Sequence, residues 1–287
     1  MAWPKKGTVH LIRKYSMLIH FSSGSFSYEI NLLNPIDISI PVVFNGAQPN
    51  TYNVPIASAK TYEDGQFIGD VRRGGSCNFE EYRLIPHCNG THTECVGHIA
   101  HERISVHKIL RDVFFQGTLV TITPEKAVDS LETYSPEKLH DDRLITSKSL
   151  FYVLENASPD FLKALIIRTR PNDLSKQSRK YLEMPPPFFS LEAMEYIVSL
   201  GVEHLLVDIP SVDRTFDEGR LSAHHIFWAV PQGSHDVDPK EPSIKTITEM
   251  IFVPDEIPDG RYLTHIQIPN FIADAAPSRV FLYEVKV

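Results

Sequence analysis

Two apolar runs dominate the middle of the chain. Ala164-Leu165-Ile166-Ile167 is stopped by Arg168-Thr169 and Pro171, and His204-Leu205-Leu206-Val207-Asp208-Ile209 is stopped by Pro210. Runs this short and this continuously apolar read as strands buried on both faces, as in a parallel sheet. Between them Ser190 precedes an amphipathic stretch that continues through Leu200, with Gly201 in the stop position, so a capped helix is predicted there. Strand, helix, strand in that order predicts a parallel pair with a crossover helix. The flanks read as further strands. Thr8 to Ile12 and Phe26 to Leu33 come first, the latter alternating as a half-buried strand does. Asp37 to Val42 follows, stopped by the turn pair Asn45-Gly46. Glu80 to Ile85, Arg111 to Thr123, Ile247 to Val253, Tyr262 to Ile268 and Val280 to Val287 complete the set. Ser135-Pro136-Glu137 has the composition of a helix start. Residues 47–76 read as loop with one strand at most, placed to overhang a site, and Pro231 to Pro242 as an inserted loop. One α/β domain over residues 1–287 is the resulting expectation.

Composition narrows the function classes. A chain of 287 residues can bury a substantial core without disulfides or a structural metal, so any bound metal is expected to be functional. The net charge of −8, without a long basic run, argues against nucleic acid and anionic membrane as partners. Cys77, Cys88 and Cys95 form an odd set with no Cys-x-x-Cys, which fits a reducing compartment. The first residues lack the apolar core of a signal peptide, and no apolar run approaches a membrane span. A soluble, cytoplasmic protein is expected.

The densest chemistry lies in Pro86-His87-Cys88-Asn89-Gly90-Thr91-His92-Thr93-Glu94-Cys95-Val96-Gly97-His98. In an extended chain, side chains two apart share a face, so His92, Glu94 and His98 point one way and Asn89 the other unless the backbone turns near Gly90. Imidazole and carboxylate donors suit zinc, manganese or another divalent first-row ion. A second group is His224-His225, of which only one can face a site, because neighbours on a helix diverge by about 100°. Glu249, inside the apolar run Thr246 to Phe252, needs a cation or a hydrogen-bond partner.

Asn89 to His98 resembles the His-x-Gly-Thr-His-x-Asp-x-Pro-x-His signature of the metal-dependent cyclase family, which includes bacterial kynurenine formamidases and isatin hydrolases. Ile36-Asp37-Ile38-Ser39, Ile167-Arg168-Thr169, Val207 to Asp213, His224-His225, Glu249 and the closing Gly260 to Pro269 resemble the family's other segments in order. The resemblance implies a swivelling β/β/α fold, with a mixed sheet or barrel core flanked by helices, and a site of one or two metals. It implies that His92, Glu94, His224 and Glu249 bind a divalent ion, zinc first and manganese as the alternative, with His98 beside it as acid/base. Three departures matter: Asn89 stands where the family has a ligand His, Glu94 where it has Asp, and Val96 where it has Pro. His87 can replace the lost imidazole only if the backbone is rearranged, and Asp236 is the alternative to Glu249. The implied activity is hydrolysis of a C–N bond in a small amide, such as an aryl formamide or cyclic amide. The alternative is a member that binds a small ligand without turnover. Phe188, Phe189 and the aromatic residues of 44–82 are candidates to line the pocket. A homodimer or homotetramer is expected from the family habit.

Overall fold

A computed structural model describes residues 17–23 and 26–286. The strand expected at Thr8 to Ile12 lies outside them. Nine strands form one sheet: β1 (Ile36–Asp37), β2 (His92–Cys95), β3 (Phe115–Ile122), β4 (Ala164–Thr169), β5 (His204–Val207), β6 (Thr246–Glu249), β7 (Gly260–Gln267), β8 (Ala275–Pro277) and β9 (Arg279–Glu284). Their order across the sheet is β8-β2-β6-β5-β4-β3-β7-β9-β1. The four central strands β6, β5, β4 and β3 run parallel, and every pairing outside them is antiparallel.

The central run is buried on both faces, as its continuous apolar sequence demands. Leu165 and Ile167 of β4 and Val120 and Ile122 of β3 face the helices α1 (Ser147–Leu154), α2 (Leu191–Ser199) and α3 (Ser222–Trp228), which contribute Leu150, Met194, Ile197 and Phe227 to that core. Ala164, Ile166 and Leu119 face the other way, into a core shared with Tyr262, Ile266, Val280 and Leu282. That second core exists because the sheet curls. Met250 adopts a left-handed φ of 54°, which turns the chain sharply after β6 and carries Ile251 and Val253 into the concave side. Ser39 then bridges Ile251, and the Phe252 N–H donates to the Ile38 carbonyl, so the chain beyond β1 meets the chain beyond β6 and the half-barrel closes. Among the described residues no helix is long and apolar enough to cross a membrane.

The helix α2 is capped by Ser190, whose hydroxyl accepts from the Ala193 N–H, and ends at Gly201 with φ 76°. The predicted crossover is therefore the observed one. Three other expectations are corrected. Residues 47–76 hold three short strands, Ser58–Thr61, Glu63–Asp64 and Phe67–Ile68, where one at most was expected, because they pair locally, the first with Glu80–Arg83 and the other two with each other. No helix starts at Ser135; α1 begins at Ser147 instead, where Thr146 and Ser149 form a reciprocal capping box and supply the end groups a helix needs. The strand expected over Asp37 to Val42 is reduced to Ile36–Asp37, because the Ile40 N–H is taken by the Thr91 hydroxyl rather than by a neighbouring strand.

Candidate metal centre

The stretch 86–98 is not extended throughout. Pro86–Asn89 is one helical turn, His92–Cys95 is β2, and Val96–His98 is a turn of 3-10 helix. Proline at the first helical position starts the turn, and Gly90 releases the chain into the strand. His92 and Glu94 therefore share a face as predicted, whereas His98 reaches the same place by a turn of the backbone rather than by strand alternation. Thr91 fixes the entry to β2: its hydroxyl donates to the Met250 carbonyl at 2.6 Å and accepts from the Ile40 N–H at 2.8 Å. The β2–β6 register then places His92 opposite Glu249.

Four side chains expected at the metal come together, all buried. His92 Nε2 stands 3.3 Å from Glu249 Oε2, and His224 Nε2 stands 2.9 Å from Glu94 Oε1 and 3.9 Å from Glu249 Oε1. Each is held from behind. His92 donates from Nδ1 to the Gly90 carbonyl, Glu249 Oε1 accepts the Val212 N–H, and Asp213 accepts from His224 Nδ1. Those contacts put a hydrogen on Nδ1 of both imidazoles and turn both Nε2 atoms toward the acids, the orientation a metal ligand requires. Of the adjacent histidines it is His224 that faces the cluster; the His225 ring turns to the Val230 carbonyl. Leu221 and Ala229, at either end of α3, both have left-handed φ values, 47° and 57°, so the helix is held to its length by the chain around it.

At the rim, His98 Nδ1 lies 3.8 Å from Glu94 Oε2 and 3.5 Å from Asp274 Oδ2, with a quarter of the side chain exposed. His87 is the unexpected member. The helical turn swings it inward, stacked on His98 at 4.5 Å between ring centroids, with Nε2 3.3 Å from Glu94 Oε2 and 3.2 Å from Asp274 Oδ2. Asn89 points elsewhere, accepting the Ile85 N–H and donating to the Pro55 carbonyl. The helical turn at 86–89 thus directs His87 toward Glu94 and Asn89 toward Ile85 and Pro55.

Charge balance in the cluster follows from these distances. Burial alone works against a charged Glu94, yet the histidines 98, 224 and 87 hold its carboxyl well below the usual range. Burial likewise opposes a charged His224, and Asp213 and Glu94 outweigh it, keeping the imidazole protonated well above its ordinary value. His87 is pushed up to about 10 against its own desolvation by Asp274 and Glu94. Protons here neutralise carboxylates that would otherwise be unpaired, a task that a divalent cation in the same place would perform instead. Three buried atoms in the cluster, His87 Nε2, His92 Nε2 and Glu94 Oε2, make no aligned hydrogen bond at all. Unpartnered imidazole nitrogens and a carboxylate oxygen converging on one place fit a divalent first-row ion. Asp236, the alternative carboxylate, is exposed and belongs to no donor group among the described residues. Asp112, Glu203 and His204 also come together, but the Lys163 ammonium already sits 2.9 Å from Asp112 and 3.5 Å from Glu203.

The sequence profile of the Cyclase family, described as putative cyclase, matches residues 30–214. The chain belongs to the Cyclase family. Several solved structures share its fold at low identity. Isatin hydrolase A from Labrenzia aggregata, bound to benzyl benzoate, is 14% identical with a TM-score of 0.58 over 87% of this chain and 93% of that one. Isatin hydrolase A from Ralstonia solanacearum is 13% identical with a TM-score of 0.57 over 87% and 91%. A predicted metal-dependent hydrolase from Bacillus stearothermophilus is 16% identical with a TM-score of 0.55 over 87% and 98%. No curated protein matches the chain in sequence.

Two participants were not legible beforehand. Asp274 follows Ala273 and precedes β8, and nothing in its neighbourhood marks it; only the β8–β2 pairing brings it to the histidines. Asp213 closes the Val207 to Asp213 segment, and only the fold shows that it orients His224. Phe188 and Phe189 do not line a pocket, because both are fully buried, Phe188 against Tyr134 and Phe189 in the helix-side core. Part of the 47–76 region does approach the cluster. The Tyr52 phenol is pushed up to about 12 by burial and by Glu249, and Asn89 is bonded to Pro55.

Proposed function

We propose that this Cyclase-family chain is a metal-dependent hydrolase of a C–N bond in a small amide, with one divalent ion held by His92, Glu94, His224 and Glu249. The observation that carries the reading is the buried convergence of His92, Glu94, His224 and Glu249 from β2, β6 and α3, with His92 Nε2 and Glu94 Oε2 left without a hydrogen-bond partner and a partly exposed histidine at the open side. Zinc suits this donor set, and manganese is the alternative. Such an ion supplies a water of lowered pKa and polarises a carbonyl. The chain supplies the rest. Asp213 and the Gly90 carbonyl keep the two ligand imidazoles in one tautomer. His98 takes a proton at Nδ1 as water adds to the carbonyl carbon, and returns it to the nitrogen as the C–N bond breaks, giving an acid and an amine. Its carboxylate neighbour Asp274 stands 3.5 Å from the same nitrogen. The isatin hydrolases among the structural relatives make cyclic amides, together with aryl formamides, the first compounds to screen.

The test is turnover of such a panel before chelation, after it, and after return of Zn2+ or Mn2+. Metal-dependent hydrolysis is expected. His98→Ala should lose about 10²- to 10⁴-fold in kcat while the tight equivalent of metal stays bound. An active His98→Ala removes the acid/base assignment. Full metal content with no hydrolysis of any amide or lactone favours the second reading, a ligand-binding member, which the displaced Asn89 supports.

A further inference from the structure

We infer that the chain has a further ligand site, a cavity at the carboxyl ends of β3, β4 and β5 that takes a small organic carboxylate with an apolar, ring-sized body. The inference stands apart from the hydrolase reading, because none of the metal-centre residues lines this cavity. Its volume is about 440 Å3, within the range of small-molecule sites. Thr123 and Pro124 beyond β3, Thr169 at the end of β4, and Asp208 and Ile209 beyond β5 border it. That edge of a parallel sheet is where ligands of α/β proteins commonly bind.

Most of the polar groups around the cavity are already matched. Asp208 accepts the Thr169 N–H and hydroxyl, both at 2.8 Å, and the Lys176 ammonium at 2.6 Å; Lys176 also reaches the Thr169 carbonyl at 2.7 Å. Two guanidinium groups of the lining are paired as well, Arg170 with Asp255 and Arg179 with Asp173. Arg143 is the cation left over: it lines the cavity, is exposed, and has no carboxylate partner among the described residues. Lys126 stands directly opposite it in the antiparallel pairing of Glu125–Lys126 with Arg143–Ile145. The two cations therefore share one face, about 5 Å apart at Cβ, and like charges so placed destabilise a strand pair. An anion set at Arg143 relieves that repulsion.

Tyr181 is the second anchor. It lines the same cavity, is 1% exposed, and its buried hydroxyl has no hydrogen-bond partner among the described residues. Such a group is destabilising until an acceptor reaches it. Burial, and after it Asp208, push the phenol above its ordinary value, so it stays a proton donor. The charges that act on it are Asp208, Arg179 and Asp173, the first two of them in the cavity lining, which sets the hydroxyl on the cavity side. The remaining walls define the ligand's body. Met184, Pro185, Pro186, Pro187 and Ile209 offer hydrocarbon, the prolines on a stiff backbone. An inorganic anion would leave those walls against water, and an uncharged ring would leave Arg143 and the hydroxyl unmatched. One spare guanidinium calls for one negative charge, and a planar carboxylate fits its planar fork.

The experiment is a calorimetric titration of the full chain, as purified, with naphthoate, beside naphthalenemethanol, naphthyl phosphate and inorganic phosphate. One equivalent of naphthoate is expected to bind, at least about tenfold more tightly than the alcohol or inorganic phosphate, and Arg143→Ala and Tyr181→Phe should each weaken it at least about tenfold. Chelation of metal should leave naphthoate binding unchanged, which separates the cavity from an acid seated on the metal centre. Arg143 is exposed and Tyr181→Phe removes only an unpartnered oxygen, so both variants should melt as the wild type does; should one fail to fold, the other decides alone. A wild type that binds no naphthoate at millimolar concentration overturns the proposal, as does unchanged affinity in either folded variant or binding that disappears with the metal. Naphthyl phosphate held more tightly than naphthoate overturns the ligand class.

Discussion

Asp213→Asn is the sharpest probe of how the chain prepares His224. The carboxylate is buried and accepts four hydrogen bonds. One oxygen takes the Tyr134 hydroxyl at 2.6 Å and the Ala223 N–H at 2.7 Å; the other takes the His224 N–H at 3.1 Å and His224 Nδ1. An asparagine replaces one of those oxygens by an NH2 group. Whichever way the amide is turned, the NH2 meets a main-chain N–H that cannot become an acceptor. An orphaned buried donor costs about 1–3 kcal/mol. If the NH2 faces His224, the ring is also driven to the wrong tautomer, with its hydrogen on Nε2 where the lone pair should face the metal. Loss of such a supporting partner typically lowers metal affinity about 10- to 100-fold, equivalent to about 1.4–2.8 kcal/mol. The assay is competition for Zn2+ against a chromogenic chelator, together with a melting curve of the metal-free protein. We expect Zn2+ held 10- to 100-fold more weakly and a melting temperature lower by at least about 2 °C, at about 2–4 °C per kcal/mol. Unchanged affinity in a folded variant would show that His224 is no ligand or that Asp213 does not set its tautomer.

Two further outcomes are expected from residues outside the ligand set. In Gly97→Ala the added Cβ would lie 2.0 Å from the Ile104 carbonyl oxygen, so the backbone turn that delivers His98 has to move; strain of this kind costs about 1–3 kcal/mol, and a melting temperature equal to that of the wild type would contradict the close approach. His204 is buried beside Phe115 at 4.1 Å between ring centroids, and burial pushes its pKa below the ordinary value despite Asp112. Below about pH 6.5 the unfolded chain therefore binds more protons at this site than the folded one, and stability falls with acidification until the folded imidazole also protonates, with a slope of at most about 1.4 kcal/mol per pH unit. His204→Gln should remove that slope, so parallel melting-temperature profiles for wild type and variant between neutral and mildly acidic pH would refute it.

What the sequence determined by itself was whatever rests on local periodicity and end chemistry. The runs at Ala164 and His204 could be stable only as doubly buried strands, Ser190 and Gly201 fixed both ends of the helix between them, and the two-residue period put His92 and Glu94 on one face. The tertiary structure decided the rest. The Ser135-Pro136-Glu137 signal concerned only a helix end and was followed by irregular apolar spacing, so no buried stripe existed to hold a helix there. Whether His224 or His225 faced Glu94 depended on the rotation of α3, set by its buried contacts and by Asp213. The fate of Asn89 and His87 turned on whether residues 86–89 coiled. One helical turn exchanged their directions, which no pattern of spacing in a strand can show. Asp274 joined the histidines through a strand pairing 180 residues away in the chain, its partner Glu94 lying opposite Ala275. Contacts of that kind are made by the closing of a sheet and leave no mark on the residues around them.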